Sequence, residues 1–222
     1  MSYDLIVFDW DGTLADSTGR IVDSMQRAGR IIGLPPVTDA QVQNIIGLGL
    51  PEAITTLWPA IDEQNMAAMK ECYARHFVSD SPVAMGLFAG AETMLARLQE
   101  QGILLAVATG KSRRGLDRIL DDLTLRHRFA ATRCADETCS KPDPLMLQEI
   151  LAQLRIPASR ALMVGDTTYD LDMANAAGMA CVAMSHGAHD EVALSACRPL
   201  VMCHNIAGLD AWLARHLSTA GK

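Results

Sequence analysis

The sequence lacks the features that mark membrane, secreted or nucleic-acid-binding proteins. No apolar run reaches the roughly 20 residues that a membrane-spanning helix needs. The first residues show no basic region followed by an apolar stretch and a cleavage site, so we expect a cytoplasmic protein. Lysine and arginine number 19 against 26 aspartates and glutamates, and the formal net charge of -7 argues against a nucleic-acid partner.

The cysteines lack a pairing pattern. They contain no CxxC pair and no zinc-ligand spacing with histidine, so we expect reduced thiols that mostly fill the core. These residues are Cys72, Cys134, Cys139, Cys181, Cys197 and Cys203.

The composition is that of a globular protein with a sizeable core. Its 222 residues, of which 50% are hydrophobic, fit one large domain or a core with a smaller insert. The acidic balance does not exclude an anionic substrate, because a bound cation and a few donors can invert the local field.

Apolar runs alternate with helical patterns over most of the chain. The runs begin at Leu5, Ile103, Ala161, Met179 and Leu200, and the helical patterns cover about 91–101, 113–121, the stretch ending near 177, and 206–217. This alternation predicts an α/β fold with a doubly wound, Rossmann-like parallel sheet. Ligands bind such sheets at the carboxyl ends of the strands.

Residues 16–84 break this alternation. Helical patterns at about 18–32, 51–57 and 62–79 occur without a convincing buried strand, and proline and glycine punctuate them. We therefore predict a helical cap domain at 16–84, inserted after the first strand of a core formed by 1–15 and 85–222.

Polar residues follow the apolar runs. Asp9 and Asp11 end the first run, Thr109 and Gly110 follow the second, and Asp166 ends the third. A buried charge is costly unless it is paired or binds a metal, so these aspartates suggest chemistry rather than packing.

Four motifs in order resemble those of the haloacid dehalogenase-like hydrolase superfamily, and among its members the phosphoglycolate phosphatase-like enzymes with a small helical cap. The motifs are Asp9-Trp10-Asp11-Gly12-Thr13-Leu14, Thr109-Gly110, Lys141-Pro142 and Gly165-Asp166-Thr167-Thr168-Tyr169-Asp170. The resemblance implies a Mg²⁺-dependent phosphatase acting on a small phosphorylated metabolite.

The residue types agree with phosphoryl transfer. Asp9 is the expected nucleophile, forming an aspartyl-phosphate, and Asp11 the general acid and later base. Thr109 is expected to donate its hydroxyl to phosphate, and Lys141 to supply a positive charge to the transferring group. The expected substrate-binding residues are Trp10 through its backbone N–H, Gly110, Thr109 and Lys141.

A divalent cation is expected beside these groups. Asp166 and Asp170 are four residues apart and share a face on a helical turn, and Mg²⁺ prefers oxygen ligands. The expected ligands are Asp9, Asp166 and the backbone carbonyl of Asp11, with Asp170 direct or through water. A helix start with favourable acidic residues is the alternative for Asp166 and Asp170.

Several other residues are weaker candidates. Lys111, Arg113 and Arg114 could reach an anionic leaving group, but an exposed basic helix start is the default. Asp16-Ser17 is expected to cap the following helix. The histidines have no ligand-like spacing.

Several substrates fit the sequence. Phosphoglycolate, a sugar phosphate and a nucleoside monophosphate all fit, and the loop Gly47-Leu48-Gly49 offers no charge to hold a carboxylate. Alternatives are a phosphomutase of the same fold, resembling β-phosphoglucomutase, or a non-catalytic binding protein. A dehalogenase is disfavoured because the resemblance pairs Asp11 with phosphoryl transfer. No membrane partner is expected, and either a monomer or a homodimer fits.

Overall fold

We used a computed structural model, which describes residues 3–217. The outermost residues of the predicted core domain, 1–2 and 218–222, lie outside this range. The strands are β1 (Leu5–Phe8), β2 (Ala15–Asp16), β3 (Gly86–Leu87), β4 (Leu104–Thr109), β5 (Ala131–Cys134), β6 (Ala161–Gly165), β7 (Ala180–Met184) and β8 (Met202–Cys203). The α-helices are α1 (Thr18–Ile31), α2 (Asp39–Gln43), α3 (Leu50–Leu57), α4 (Glu63–Arg75), α5 (Ala91–Glu100), α6 (Arg113–Asp122), α7 (Leu145–Leu154), α8 (Thr168–Ala176), α9 (Glu191–Ala196) and α10 (Ile206–His216).

The core of the molecule is a parallel sheet with helices on both faces. Its six strands lie in the order β5-β4-β1-β6-β7-β8, and every neighbouring pair is parallel. The predicted α/β doubly wound fold is therefore confirmed. Strand β1 pairs with β4 on one side and β6 on the other, so its carboxyl end lies at the centre of one sheet edge.

Strand β1 is buried on both faces because each face carries its own apolar layer. Ile6 and Phe8 pack into one cluster with residues of α5, α6 and α10. Leu5 and Val7 pack into the other cluster with residues of α7, α8 and α9. Side chains alternate across a strand, so a four-residue apolar run supplies both layers at once.

The helices of residues 18–75 form a separate bundle over the sheet edge. Its apolar cluster includes Ile21, Met25, Ile54, Trp58 and Met69, all with less than a tenth of their surface exposed. The predicted helices are present, with boundaries shifted by a few residues. Helix α4 ends at Arg75, and the expected continuation to residue 79 is instead a π-helical turn over His76–Asp80.

Two segments of the chain connect this bundle to the sheet. β2 and β3 form an antiparallel pair, and the Arg20 guanidinium donates hydrogen bonds to the carbonyls of Phe77, Ser81 and Val83 at 2.8–3.2 Å. These contacts fasten the outgoing and returning segments to each other. The domain limits at residues 15 and 85 stay a prediction.

Sequence patterns missed several elements. β5 carries the half-buried polar residues Thr132 and Arg133 at the edge of the sheet, so it has no continuous apolar run. Helix α2 has five residues, although its capping box of Thr38 and Gln41 was a readable signal. β2 and β3 have two residues each, too few for a period. No helix within residues 3–217 is long and apolar enough to cross a membrane.

Candidate active site

The loop after β1 turns sharply at Gly12. Gly12 has a φ of +84°, and a Cβ there would lie 2.2 Å from the Asp166 Oδ2 atom, so no side chain fits. The turn is closed by hydrogen bonds from the Gly12 N–H to the Ala15 carbonyl (2.8 Å) and from the Leu14 N–H to the Trp10 carbonyl (3.1 Å). Asp9 and Asp11 therefore stand on a fixed backbone at the sheet edge.

Lys141 is buried between two carboxylates. Its Nζ lies 2.5 Å from Asp9 Oδ1 and 2.6 Å from Asp170 Oδ1, and the side chains of all three residues have at most 1% of their surface exposed. The two carboxylates raise the pKa of Lys141, against the lowering effect of burial, so its ammonium keeps its charge. Lys141 belongs to the loop between β5 and α7, at the same sheet edge as Asp9.

The start of α8 positions Asp170. The Thr167 hydroxyl and backbone N–H donate to Asp170 Oδ2 at 2.7 and 3.1 Å, which completes a capping box. Helix capping was the alternative for Asp170, and the residue both caps α8 and contacts Lys141. Asp170 Oδ2 accepts the capping hydrogen bonds, and Asp170 Oδ1 contacts Lys141.

Asp166 is held by two donors. The Thr13 hydroxyl donates to Oδ1 at 2.6 Å, and the Ala188 N–H donates to Oδ2 at 2.8 Å. A Cβ at Gly187 would approach Oδ2 to 2.1 Å, so backbone crowds this carboxylate as it does at Gly12. The carboxylate has little freedom to turn.

The carboxylates of Asp9, Asp166 and Asp170 form a cluster that fits a divalent cation. One oxygen of each lies within 4.8 Å of the others. Asp9 Oδ2 is buried and has no hydrogen-bond partner within residues 3–217. Burial raises the pKa of Asp9, opposed by Lys141, and burial together with Asp170 raises the pKa of Asp166 to about 7. Three carboxylates thus crowd around the Lys141 ammonium, and oxygen-only ligands suit Mg²⁺.

Asp11 faces a second lysine. Lys111 Nζ lies 2.9 Å from Asp11 Oδ1, and the Ser17 hydroxyl donates to the same oxygen at 2.6 Å. The Lys111 ammonium also lies 4.6 Å from the ring centroid of Phe77, which belongs to the helical bundle. Asp11 Oδ1 is therefore engaged by two donors, and Asp11 also lines the cavity described below.

Two expectations about this region were wrong. Lys111 is not an exposed helix-start residue, because its side chain is 10% exposed and paired with Asp11. Ser17 occupies the N-cap position of α1 but makes no side-chain capping bond, because its hydroxyl serves Asp11 instead. Spacing along the sequence could not show either contact, since each arises where the chain folds back on the β1 loop.

The remaining predicted site residues, Thr109, Gly110 and Trp10, have different surroundings. Thr109 is fully buried at the end of β4, and its hydroxyl accepts the Lys111 N–H at 3.2 Å. Gly110 lines a cavity with Asp9 and Asp11. The Trp10 side chain packs into the core, 6.3 Å from Phe129 edge-to-face, so only its backbone can serve the site.

A cavity of about 740 Å³ opens above these residues, between the helical bundle and α6. The loop Gly47-Leu48-Gly49 closes one side of it. A Cβ at Gly110 would lie 2.4 Å from the Leu48 carbonyl oxygen, and the Gly49 N–H donates to the Ser140 hydroxyl at 2.8 Å. The Tyr169 hydroxyl donates to the Asn44 carbonyl at 2.8 Å. The bundle thus rests on the sheet edge in a closed arrangement.

Sequence reasoning missed Thr13 and Tyr169 as part of this site. Both fall inside the motifs quoted above, so their position was a usable signal. Their contacts with Asp166 and with the bundle depend on tertiary structure.

Comparison with known proteins agrees with this geometry. The profile of the haloacid dehalogenase-like hydrolase family matches residues 6–184. This chain belongs to that family. Its haloacid dehalogenase-like fold also matches the crystal structure of a hydrolase from Pseudomonas syringae, with a TM-score of 0.88 and 21% identity over 97% of this chain and 100% of that one.

Curated relatives of this haloacid dehalogenase-like hydrolase are named as phosphatases. A protein of Dickeya dadantii named "Probable phosphatase IndB" is 36% identical over 89% of this chain and 88% of the relative. A phosphoglycolate phosphatase of Mesorhizobium japonicum is 31% identical over 86% of each chain.

Proposed function

We propose that this protein is a Mg²⁺-dependent phosphatase of small phosphorylated metabolites, working through an aspartyl-phosphate on Asp9. The observation that carries the proposal is the environment of the Asp9 carboxylate. Lys141 holds Oδ1, while Oδ2 has no partner within residues 3–217 and Asp9 lines the cavity. A fixed carboxylate with one free oxygen is suited to attack phosphorus. The phosphatase names of the relatives support the same reaction class.

The reaction takes two steps. In the first, Asp9 Oδ2 forms a bond to phosphorus as the bond to the leaving oxygen breaks, and Asp11 gives that oxygen a proton. In the second, Asp11 takes a proton from water, which attacks phosphorus and releases inorganic phosphate and free Asp9. Ser17 and Lys111 hold Asp11 Oδ1, so Oδ2 carries the transferred proton.

Fixed charges and donors support both steps. The Lys141 ammonium offsets the charge of Asp9 and of the phosphoryl oxygens, and Thr109 and the Gly110 N–H donate to those oxygens. Asp9, Asp166, the Asp11 carbonyl and Asp170, direct or through water, would hold Mg²⁺, which supplies positive charge to the phosphoryl group when bound. Asp170 also orients Lys141.

Residues 16–84 act as a cap in this proposal. The cap shields the aspartyl-phosphate from bulk water while closed and opens to release product. The contacts of Gly49 with Ser140 and of Asn44 with Tyr169 are two of the points where the closed cap meets the core. We also propose a cytoplasmic location, in keeping with the six free cysteines within the described part of the chain.

Phosphate release tests the proposal. Wild type with Mg²⁺ should release phosphate from p-nitrophenyl phosphate, and EDTA should stop the reaction. Asp9→Asn removes the nucleophile with little change of shape, and should abolish turnover. The matched control is Asp122→Asn, an exposed position at the end of α6, which should keep wild-type activity.

Other outcomes discriminate the alternatives. Substantial activity in Asp9→Asn would exclude Asp9 as the nucleophile. Conversion of a sugar phosphate into its isomer without free phosphate would favour a phosphomutase. Binding of phosphate esters with no turnover by wild type would favour a non-catalytic protein.

A further inference from the structure

The cavity above Asp9 is large for a two-carbon substrate. Its volume of about 740 Å³ is measured with the loop Gly47-Leu48-Gly49 seated on the core, so the volume describes a closed arrangement. Pockets of roughly 300–1,000 Å³ enclose ligands the size of a drug molecule. Phosphoglycolate would leave most of this space to water.

The cap side of the cavity is mostly apolar, although Glu71, Arg75 and Ser79 also line it. Leu48 and Leu50 line it from the cap loop and α3, and Tyr73 lines it from α4. These side chains are half-buried, and Val78 beside them is 45% exposed. The apolar part of this wall, formed by Leu48, Leu50 and Tyr73, gains free energy by covering an apolar ligand surface.

The core side of the cavity carries two arginines with free guanidinium groups. Arg114 and Arg118 are four residues apart on α6 and both line the cavity. Neither has an ion pair or hydrogen bond to any group in residues 3–217, whereas their neighbour Arg113 is paired with Glu137 at 2.6 Å. A guanidinium group offers a planar fork of donors and a face for stacking on rings.

A glycine lies between these arginines. Gly115 is in the first turn of α6 and lines the same cavity, and glycine in a helix is about 1 kcal/mol less favourable than alanine. A Cβ at Gly115 would meet only the Ser112 hydroxyl, at 3.3 Å, within 4 Å. The helix therefore keeps space open on the side that faces the cavity.

From these observations, and resting on the phosphatase proposed above, we infer that the substrate is a phosphate monoester with a ring-bearing leaving group of nucleoside size. The apolar wall formed by Leu48, Leu50 and Tyr73 covers the ring. Arg118 donates to acceptor atoms at the end of the leaving group farthest from the phosphate. The space over Gly115 accommodates the ring between these two sides.

A matched substrate series tests this inference. Phosphoglycolate, ribose 5-phosphate, uridine 5′-monophosphate and adenosine 5′-monophosphate are all esters of primary alcohols, so the chemistry of the leaving oxygen is similar. With Mg²⁺, kcat/KM should be about tenfold or more higher for the nucleotides than for phosphoglycolate, since even one methylene in an apolar pocket is worth roughly 10- to 200-fold. Ribose 5-phosphate should fall between them.

Two variants test the assigned contacts. Arg118→Gln should lower kcat/KM for the nucleotides by about tenfold relative to phosphoglycolate, the loss expected for a hydrogen bond to a charged group. Its control, Arg27→Gln on the exposed surface of α1, should leave the ratio unchanged. Gly115→Leu, which fills the cavity, should lower the same ratio, and Gly115→Ala should lower it less.

The outcomes separate this inference from the proposed function. Release of phosphate from phosphoglycolate with kcat/KM equal to or above that of the nucleotides would overturn the inference and leave the phosphatase standing. Unchanged nucleotide selectivity in both Arg118→Gln and Gly115→Leu would also overturn it. No phosphate release from any of the four esters would overturn this inference, and failure with p-nitrophenyl phosphate as well would overturn the proposed function.

Discussion

Removing the buried ammonium of Lys141 is the perturbation whose effect the structure predicts most directly. In Lys141→Met the side chain keeps much of its length and apolar stem but loses its charge. Asp9 and Asp170, each with at most 1% of its side chain exposed, then lose a partner at 2.5 and 2.6 Å. Breaking a buried ion pair from one side destabilises a protein by about 3–5 kcal/mol, because the remaining charge is left uncompensated.

The loss of stability in Lys141→Met should depend on pH. Burial already raises the pKa of Asp9, and the Lys141 charge is the influence that lowers it, so the variant should have an even higher Asp9 pKa. A carboxyl whose pKa is higher in the folded state destabilises the fold fully above that pKa. The penalty shrinks as the pH falls below it and disappears below the pKa of the unfolded chain. The gap between variant and wild type should therefore be largest at alkaline pH and shrink as the pH falls.

The assay is equilibrium unfolding in EDTA, which excludes compensation by a bound cation. For a chain of this size, ~3–5 kcal/mol corresponds to a lowering of Tm by about 6–20 °C. Lys70→Met, an exposed position on α4, is the matched control and should shift Tm little. A free energy of unfolding for Lys141→Met within about 1 kcal/mol of wild type at pH 8 would refute the reasoning from uncompensated buried charge.

Three further predictions follow from named contacts. Thr13→Val removes the 2.6 Å hydrogen bond to Asp166 Oδ1 and should weaken Mg²⁺ binding by about 10- to 100-fold in calorimetric titration; an unchanged affinity would contradict the assignment of Asp166 as a ligand. The hydrogen bonds from Ser81 and, to a lesser extent, His76 lower the pKa of Asp23. Ionised Asp23 therefore adds about 1 kcal/mol to the free energy of unfolding above pH ~4, and this contribution is lost as the pH falls through the folded-state pKa. The free energy of unfolding of Asp23→Asn, measured between pH 2 and 6, should lack that acid-dependent loss. Parallel pH curves for variant and wild type would contradict a stabilising role for these hydrogen bonds. Tyr169→Phe removes the hydrogen bond to the Asn44 carbonyl and should raise KM by about 2- to 12-fold through a less populated closed cap; a lower kcat at constant KM would argue against this role.

The sequence predicted the parts of the molecule that depend on local pattern. Apolar runs located β1, β4, β6 and β7, because strands buried on both faces have a continuous apolar signature. The parallel topology that these runs predict places Asp9, Thr109 and Asp166 at one sheet edge. Edge strand β5 was not predicted, because its half-buried position allows polar residues and so gives no continuous apolar run.

Sequence patterns did not predict the contacts that orient the reacting groups of the site. Ser17 and Lys111 were interpreted from their neighbours as a helix cap and a solvated charge, and both instead contact Asp11 across a fold of the chain. Trp10 lies within the first motif, yet its side chain points into the core. A one-dimensional pattern identifies the reacting groups, whereas the partners that orient them are set by packing.

The proposed mechanism requires that Asp9 carries the phosphoryl group during turnover. The most direct measurement is rapid acid quench of the Mg²⁺-loaded enzyme during steady-state turnover, followed by borohydride reduction and mass spectrometry of the peptide that contains Asp9. If the mechanism is right, Asp9 is recovered as homoserine, the product of reducing an acyl phosphate, and Asp11 is unmodified. Turnover with no modification at Asp9, or with the modification at another residue, would contradict this mechanism.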